Sequence, residues 1–360
     1  MSEHAAGFQQ AKNARQLGSG IRAEFPLLIG LVTVVIFFAA GSQLVEMIAH
    51  PARLIGVFIW LFAVILWSAM CVVRHAECLA VKLGEPYGTL ILTLSAISIE
   101  VVMIALNGFV GLCLVIGGLR YREQYYNLQG VNSYLNVIMT LAVLGLVLPN
   151  FTTSTSSPTF STEQEIFLIV MSLLLYAIFL LIQTMRHRRY FVEYRETVAA
   201  ANSAHHPLQT YSSGFHATML LLYMVTVILL AKKFAIPLDN SIERFGMPQA
   251  FGGAIIAALV LAPEGIGAID ATLRNQLQRS INILFGSVLA TIGLTISAVL
   301  TIGLSTRQSV VLGVQGGNLP LLLLTLAVSV VTFTSRKTNV LQGCVHLLLF
   351  AVFVLLIFAP

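Results

Sequence analysis

The sequence predicts an all-α membrane protein that crosses the bilayer about eleven times. Hydrophobic residues make up 57% of its 360 residues and charged residues only 10%, and the mean hydropathy is +0.88. Soluble domains do not have this composition. Apolar runs long enough to cross about 30 Å of hydrocarbon, roughly 20 helical residues each, recur along the chain. Because lipid offers no partner to unpaired backbone groups, such runs form helices.

Ten runs give the spans in chain order, and a shorter run adds an eleventh. The ten lie at about residues 27–48, 54–73, 87–106, 134–149, 164–185, 214–231, 249–268, 282–304, 318–334 and 340–358, and the short one covers 108–119. Basic residues precede the first run, as in a signal peptide. That run exceeds a signal core and many spans follow, so we expect a retained first helix.

Basic residues in the short loops indicate the orientation. With residues 1–24 as a cytoplasmic tail, most basic clusters fall on the cytoplasmic side of an eleven-helix path, as the positive-inside rule requires. These clusters contain Arg74, His75, Lys82, Arg120, Arg122, Arg186, Arg188, Arg189, Arg195, Arg274, Arg279, Arg336 and Lys337. Lys232–Lys233 and Arg307 are exceptions. The net charge of +5 therefore comes from loops that set the orientation in the membrane, and it does not indicate a nucleic-acid partner.

A basic loop over residues 186–213 divides the chain into halves. We expect residues 25–185 to hold the first helix and an N-terminal repeat of five helices, and residues 214–360 to hold a C-terminal repeat. Transporters are often built from two inverted repeats of this kind, with the site at the midplane where they meet.

Two carboxylates lie inside apolar runs, one in each half. Glu264 stands in GGAIIAALVLAPEGIGAI directly after Pro263, and Glu100 stands in GTLILTLSAISIEVVMIAL, after Gly84–Glu85–Pro86. An ionisable side chain in a span is costly and marks a functional site. Proline and glycine nearby free carbonyl groups to face a polar cavity. The pair predicts a pathway for cations or protons.

Hydroxyl groups near the glutamates extend the candidate site. Ca²⁺ takes six to eight oxygen ligands, and hydroxyls suited to this role belong to Ser95, Ser98, Ser287 and Thr291. His346 is a candidate proton relay, because imidazole titrates near neutral pH.

Each of these residues also has a structural interpretation. Glu264 would be a structural carboxylate that forms an ion pair with Arg274 or a hydrogen bond to a neighbouring helix. Glu100 would also be a structural carboxylate. The hydroxyls would bond their own helix backbone or a packed neighbouring helix, and His346 would be a packing residue. Polar residues in the turn after Glu264 are predicted to be mostly a solvated face: Asn275, Gln278, Arg279 and Asn282.

Several classes of protein are excluded. The sequence has no HExxH pattern, no phosphate-binding loop and no CxxC pair. Its four cysteines, Cys71, Cys78, Cys113 and Cys344, are predicted to be small core residues. The remaining classes are a secondary transporter with no cofactor beyond its transported ions, an uncoupled cation channel, and a structural membrane protein without transport.

Three stretches carry a resemblance to a known family: VVRHAECLAVKLGEPYGTLILTLSAISIEV, PEGIGAIDATLRNQLQRSINILFGSVLATIGLT and TSRKTNVLQGCVHLLLF. They resemble the ChaA-type calcium/proton antiporters of the cation/Ca²⁺ exchanger superfamily, from about residue 25 onwards. The resemblance implies eleven helices, inverted repeats with motifs at about 84–118 and 258–303, and exchange of Ca²⁺, Na⁺ or K⁺ for protons. Glu100 and Glu264 would be the two repeat glutamates that bind cation or proton competitively.

The chain departs from this family in two places. Residues 86–119 number 34, whereas two spans with a turn need roughly 40, so the first repeat is short. A shortened hairpin would turn outside the membrane at Asn107 and Gly108; the alternative is a deletion variant without transport. The basic clusters at Lys82 and Arg120 favour the hairpin. The second departure is the basic central loop, where the family often has an acidic run, and contact with anionic lipid heads fits its charge.

Overall fold

The computed structural model describes residues 24–39, 50–83, 100–155, 158–192, 212–307 and 310–359. Within them lie ten helices: Phe25–Ala39 (α1), Pro51–Leu83 (α2), Glu100–Tyr121 (α3), Leu128–Asn150 (α4), Thr162–Arg186 (α5), Ser213–Phe245 (α6), Gln249–Leu273 (α7), Leu277–Thr306 (α8), Asn318–Thr332 (α9) and Val340–Phe358 (α10). Eight are long and apolar enough to cross a membrane, whereas α1 and α9 are shorter. The all-α polytopic fold is confirmed. The count of eleven spans and the repeat boundaries stay predictions.

Local signals explain several helix ends and irregular turns. Capping boxes at Ser161 and Asn339 start α5 and α10, because each side chain satisfies a backbone N–H that has no partner within the helix. Two of the irregular turns are π-helical segments in α3, over Ile104–Phe109, and in α8, over Thr291–Thr295. Such segments often occur at functional sites, and both of these helices pack against α7.

The helices form two groups with separate cores. Helices α3, α4, α5, α8, α9 and α10 surround a large core that includes the buried rings of Tyr134 and Phe285. Helices α1, α2 and α6 share two smaller cores, one of which contains Phe234. Helix α7 contributes Leu261 to the large core and Leu259 to a small one. Helix α7 therefore joins the two groups.

Four loops meet at one end of the molecule, called here the basic end: residues 121–128, 187–192, 273–277 and 332–340. The amide of Gln124 donates to the Thr272 carbonyl over 3.2 Å, and the Asn127 N–H donates to Gln278 Oε1 over 2.7 Å. A short antiparallel pair, β1 (Gln124–Tyr125) and β2 (Lys337–Thr338), joins two of the loops. The predicted clusters around Arg122, Arg188, Arg274 and Arg336 thus lie on one side of the protein.

Other loops meet at the opposite end. The side-chain amide of Asn150 donates to the Val314 carbonyl over 2.9 Å, and the Gly313 N–H donates to the Pro158 carbonyl over 3.4 Å. The rings of Phe251 and Phe358 also pack together there. The serine- and threonine-rich loop that contains Asn150 and Pro158 therefore lies away from the basic end.

The expected turn at Asn107 and Gly108 is wrong. Both residues lie within the continuous helix α3, and Asn107 is 0% exposed. Asn-Gly is a frequent turn signal, but the Asn107 side chain finds its partners inside the bundle. Helix α3 has 22 residues, about 33 Å, which is enough for one crossing. Residues 84–99 lie outside the described residues.

Helices α3 and α10 approach each other closely at glycines. A Cβ added to Gly343 would lie 2.6 Å from the backbone nitrogen of Val115, and one added to Gly118 would lie 2.8 Å from that of Val340. Close contact of this kind stabilises membrane helices, since lipid tails provide no hydrophobic force between them. The glycines therefore hold α10 against the helix that begins at Glu100.

Substitution of Gly343 by alanine should destabilise the protein by about 1–3 kcal/mol, the usual cost of overpacking. The matched control is Gly56→Ala in α2, where an added Cβ meets no atom of the described residues within 4 Å. Alanine there should be neutral or stabilising by up to about 1 kcal/mol through its helix propensity. Thermal unfolding in detergent measures both, and equal effects would contradict the close crossing.

Candidate functional site

Glu264 lies deep inside the bundle. Its residue is 3% exposed and belongs to the apolar span Ala250–Leu273 of α7. Pro263 precedes it within the same helix. Because proline has no N–H, the carbonyl of Leu259 loses its usual helical donor. The carboxylate of Glu264 and a carbonyl without its helical donor are therefore placed five residues, or about one and a half turns, apart.

Helix α8 runs antiparallel to α7 and lies beside this turn. The Ser280 hydroxyl donates to the Ala268 carbonyl over 2.7 Å and lies 2.8 Å from the Thr272 hydroxyl. Four residues, or about 6 Å, further from the turn that connects the two helices, Glu264 of α7 lies at the level of Leu284 of α8. Ser287 is less than one turn beyond that level.

Ser287 and Thr291 are four residues apart on α8 and therefore share one face. They are 0% and 3% exposed. The Ser287 hydroxyl makes no hydrogen bond to any of the described residues, so the interpretation that it bonds its own helix backbone is wrong. Ser297, further along α8, does bond in this way, to the Gly293 carbonyl. Ser287 thus offers a buried oxygen that is open to a ligand.

Helix α3 covers the other side of the Glu264 turn. The Phe109 ring lies directly over Gly265, where any Cβ would collide with it. Further along, a Cβ added to Gly117 would lie 3.1 Å from the Thr272 methyl group. The two helices therefore run in parallel, and Glu264 is enclosed between α3 and α8.

Glu100 lies elsewhere. It is the first residue of α3, is half-buried, and its carboxylate lies over Gly253 of α7, with Oε1 2.9 Å from the position of an added Cβ. It lines a cavity of about 110 Å³ together with Asn318 and Val314, at the end opposite the basic end. Gly253 and Glu264 are eleven positions apart, about 16 Å along a helix.

The two glutamates therefore do not form one site in this structure. The physical reason is their places along α7, because Glu100 lies beside Gly253 near the start of that helix and Glu264 lies in the middle of its apolar span. Ser95 and Ser98 lie outside the described residues. The described residues contain no group of three or more His, Cys, Asp and Glu side chains that could hold a metal ion, so ligands beside Glu264 would be hydroxyl and carbonyl oxygens.

His346 belongs to a buried hydrogen-bond network that the sequence did not reveal. Asn107 Nδ2 donates to the Thr325 hydroxyl over 2.8 Å, and Asn107 Oδ1 lies 3.3 Å from His346 Nδ1. His346 Nε2 lies 3.1 Å from the Thr332 hydroxyl. The network links α3, α9 and α10. Both nitrogens of His346 have partners, as the packing interpretation requires, and relay of a proton stays a prediction.

The polar turn after Glu264 is not a solvated face. Gln278 and Asn282 are buried, and Gln278 Nε2 donates to Asn282 Oδ1 over 2.9 Å. Arg274 forms an ion pair with Asp270 over 2.8 Å, so it belongs to the surface turn and not to Glu264. Of the cysteines, Cys71 and Cys113 are buried as predicted and Cys344 is exposed.

Comparison with protein families finds one match. The family described as sodium/calcium exchanger protein matches residues 101–185 and 215–359. The match includes α3, α7 and α8, and hence Glu264, Ser287 and Thr291.

Two curated relatives cover most of the chain. The putative ionic transporter y4hA of Sinorhizobium fredii is 38% identical over 340 residues, covering 87% of this chain and 92% of the relative. The sodium-potassium/proton antiporter ChaA of Escherichia coli is 34% identical over 372 residues, covering 96% and 100%. That alignment is longer than this chain of 360 residues, so the relative contains residues that this chain lacks.

Solved structures share the fold. The structure of native YfkE has a TM-score of 0.61 and 17% identity, covering 91% of this chain and all of that one. The H⁺/Ca²⁺ exchanger CAX has a TM-score of 0.52 and 18% identity, covering 97% of this chain and 88% of that one. The polytopic architecture is therefore that of membrane exchangers.

Replacement of Asn107 by leucine should destabilise the protein strongly. It removes the partner of the Thr325 hydroxyl and of His346 Nδ1, and each buried group left without a partner costs about 1–3 kcal/mol. Asn240→Leu is the control, because exposed Asn240 bonds only the Ile236 carbonyl of its own helix. Thermal unfolding of both variants in detergent is the measurement. An Asn107→Leu protein as stable as the control would show that the network contributes little.

Proposed function

Because the chain belongs to the sodium/calcium exchanger family, we propose that it is a secondary active antiporter that exports a cytoplasmic cation in exchange for protons. The observation that carries the proposal is a buried carboxylate, Glu264, held in mid-span within one helical turn of the level of a buried hydroxyl, Ser287, that has no partner among the described residues. Both sequence relatives are named as transporters, one of them as a sodium-potassium/proton antiporter. The protein is thus proposed to be a transporter and not an enzyme.

Exchange follows from competition at Glu264. An ionised carboxylate in the low dielectric of the bundle is costly unless a positive charge accompanies it. A proton neutralises it covalently, and a metal cation neutralises it with help from the Ser287 hydroxyl and the Leu259 carbonyl. The two cannot occupy the same oxygens together. Suppose that the site can switch between the two sides of the membrane only when Glu264 carries a cation or a proton. After a cation has been exported, the empty site must then bind a proton before it can switch back.

The charge of the site bears on the choice of cation. One carboxylate balances one Na⁺ or K⁺, whereas Ca²⁺ leaves a positive charge uncompensated in the bundle. A second carboxylate would have to approach, and Glu100 is about 16 Å away along α7. We therefore propose Na⁺ or K⁺ as the cation that Glu264 handles alone, and Ca²⁺ as a substrate that also requires Glu100.

The proposed orientation places the basic end in the cytoplasm of a bacterial inner membrane, with residues 1–24 on the same side. The charge of the loops supports it through the positive-inside rule. A competing function, a membrane protein without transport, is favoured by one observation, the single crossing made by α3. The experiment on Glu264 separates the two.

Replacement of Glu264 by glutamine should abolish exchange. Everted vesicles with an imposed proton gradient should lose it when Na⁺, K⁺ or Ca²⁺ is added to the native protein. We expect the initial rate to fall at least about tenfold in the variant, since each 1.4 kcal/mol of lost binding is a factor of ten.

The control for this prediction is Glu243→Gln, which removes an exposed carboxylate near the end of α6 and should leave the rate unchanged. Equal rates in Glu264→Gln and native vesicles would refute the assigned site. Absence of any cation-dependent dissipation from the correctly inserted native protein would favour the membrane protein without transport.

Replacement of Glu100 by glutamine should separate the cations. Two charges about 16 Å apart interact by roughly 1 kcal/mol at an effective dielectric of 20, so the half-saturating Na⁺ or K⁺ concentration should change less than about fivefold. Exchange of Ca²⁺ should be lost. The same vesicle assay with each cation measures this. Loss of Na⁺ and K⁺ exchange as complete as in Glu264→Gln would mean that both glutamates meet in one site during transport.

A further inference from the structure

Two buried histidines face each other outside the cation site. His75 Nδ1 on α2 lies 3.1 Å from His216 Nδ1 on α6, and the residues are 1% and 4% exposed. The apolar span of α2 ends at Val72, so His75 lies just beyond it. His216 lies in the first turn of α6, at the start of a helix that runs from the basic end. The proposed exchange mechanism uses neither residue.

Charged groups surround the pair. Glu24, at the start of α1, places Oε2 3.1 Å from His75 Nε2 and accepts hydrogen bonds from Arg74 at 2.7 Å and from the Tyr223 hydroxyl at 3.1 Å. Arg74 also lies 3.1 Å from His75 Nε2. Among the described residues, the titratable groups that face the pair are Glu24, Arg74, Tyr223 and Cys71.

The positions of hydrogen atoms limit how this cluster binds protons. If His75 and His216 are both neutral and His75 Nε2 donates to Glu24, then His75 Nδ1 has no hydrogen and His216 Nδ1 must supply it. One added proton on His75 lets Nε2–H donate to Glu24 while Nδ1–H donates to His216. A second proton would place two N–H groups against each other at 3.1 Å. The pair therefore accepts one proton readily and resists another.

We propose that the His75–His216 pair is a proton-binding site, separate from the cation site, that takes up a single proton from the basic end and slows exchange when that side is acidified. The bound proton makes His75 a second cationic donor to Glu24, beside Arg74, and so ties α1, α2 and α6 together. The effect on exchange rests on the proposed function, whereas proton binding by the pair does not.

The site is placed to influence Glu264. Helices α1, α2 and α6 share cores of their own, and α7 contributes Leu259 to one of them. Leu259 is five residues before Glu264 on the same helix. A proton that tightens the contacts among α1, α2 and α6 therefore restrains the helix that carries the cation site. This restraint would stop proton import into a compartment that is already acidic.

Burial holds the pKa of His75 below its ordinary value of 6.5, and the hydrogen bond that His75 donates to Glu24 opposes this shift. The proton is therefore taken up on the acid side of neutrality. Loss of the Glu24 charge should lower the pKa of His75 further. Replacing a charge-assisted hydrogen bond by a neutral one costs on the order of 1 kcal/mol, which corresponds to about one pH unit.

The binding test uses the purified full-length protein in detergent. Hydrogen exchange at the histidine C2 position, followed by peptide mass spectrometry between pH 5 and 8, reports the titration of each histidine. We expect the midpoint of His75 to move in His216→Asn and, by about one pH unit towards acid, in Glu24→Gln. The half-buried His187, at the basic end, should not change. Titration of His75 that neither substitution alters would overturn the shared site. Glu24→Gln keeps the test valid should His216→Asn not fold.

The transport test uses everted vesicles, in which the bath sets the pH at the basic end. The acid limb of the exchange rate should move about one pH unit towards acid in His216→Asn and Glu24→Gln, with rates at pH 8 unchanged. His187→Asn is the control. Coincident profiles for native and variant proteins would overturn the regulatory role. Absence of exchange in all proteins, with the coupled titration present, would refute the proposed antiport while upholding the proton site.

Discussion

The structure depends on how closely neighbouring helices pack against α7. Along its length, α7 carries Gly253 under the Glu100 carboxylate and Gly265 under the Phe109 ring, and its Ala268 carbonyl accepts from Ser280 of α8. A Cβ at Gly265 would push α3 away, because the Phe109 ring already occupies the space, whereas a Cβ at Gly253 would displace the Glu100 carboxylate. In a bilayer these contacts hold the helices together in place of the hydrophobic effect, which acts only in water. They also decide which groups can reach Glu264.

The two glutamates lie at different depths along α7. Glu264 sits in the middle of a span, where desolvation makes its charge dependent on a counter-ion. Glu100 begins a span next to a small cavity, where its carboxylate is half-buried. The symmetry of two equivalent glutamates is therefore replaced by one deep carboxylate and one at the edge.

The sequence predicted the helical class, the common side of the basic loops and the burial of Glu264, because long apolar runs and isolated charges have few alternative structures in lipid. It misplaced Asn107, since Asn-Gly within a broken apolar run is typical of a turn. The sequence did contain a signal for burial of Asn107, because it is a polar residue inside an apolar run. The same observation identified Glu264 as buried. Gln278 and Asn282 were misread because polar residues after a helix usually face solvent. Their partners, the Asn127 N–H and the Phe191 carbonyl, come from distant loops that local pattern does not reveal.

Some buried polar groups in this bundle have hydrogen-bond partners for their polar atoms, and others do not. This difference separates groups with a structural role from groups that can bind a ligand. Asn107 and His346 find partners in Thr325 and Thr332, so their network is closed and holds α3, α9 and α10 in register. A closed network gains nothing from a cation, because its oxygens are already used. Ser287 lacks such a partner among the described residues, and an unsatisfied buried hydroxyl costs about 1–3 kcal/mol. A cation held between Ser287 and the Glu264 carboxylate would recover that energy, which is why the proposed transport site includes the open hydroxyl and not the closed network.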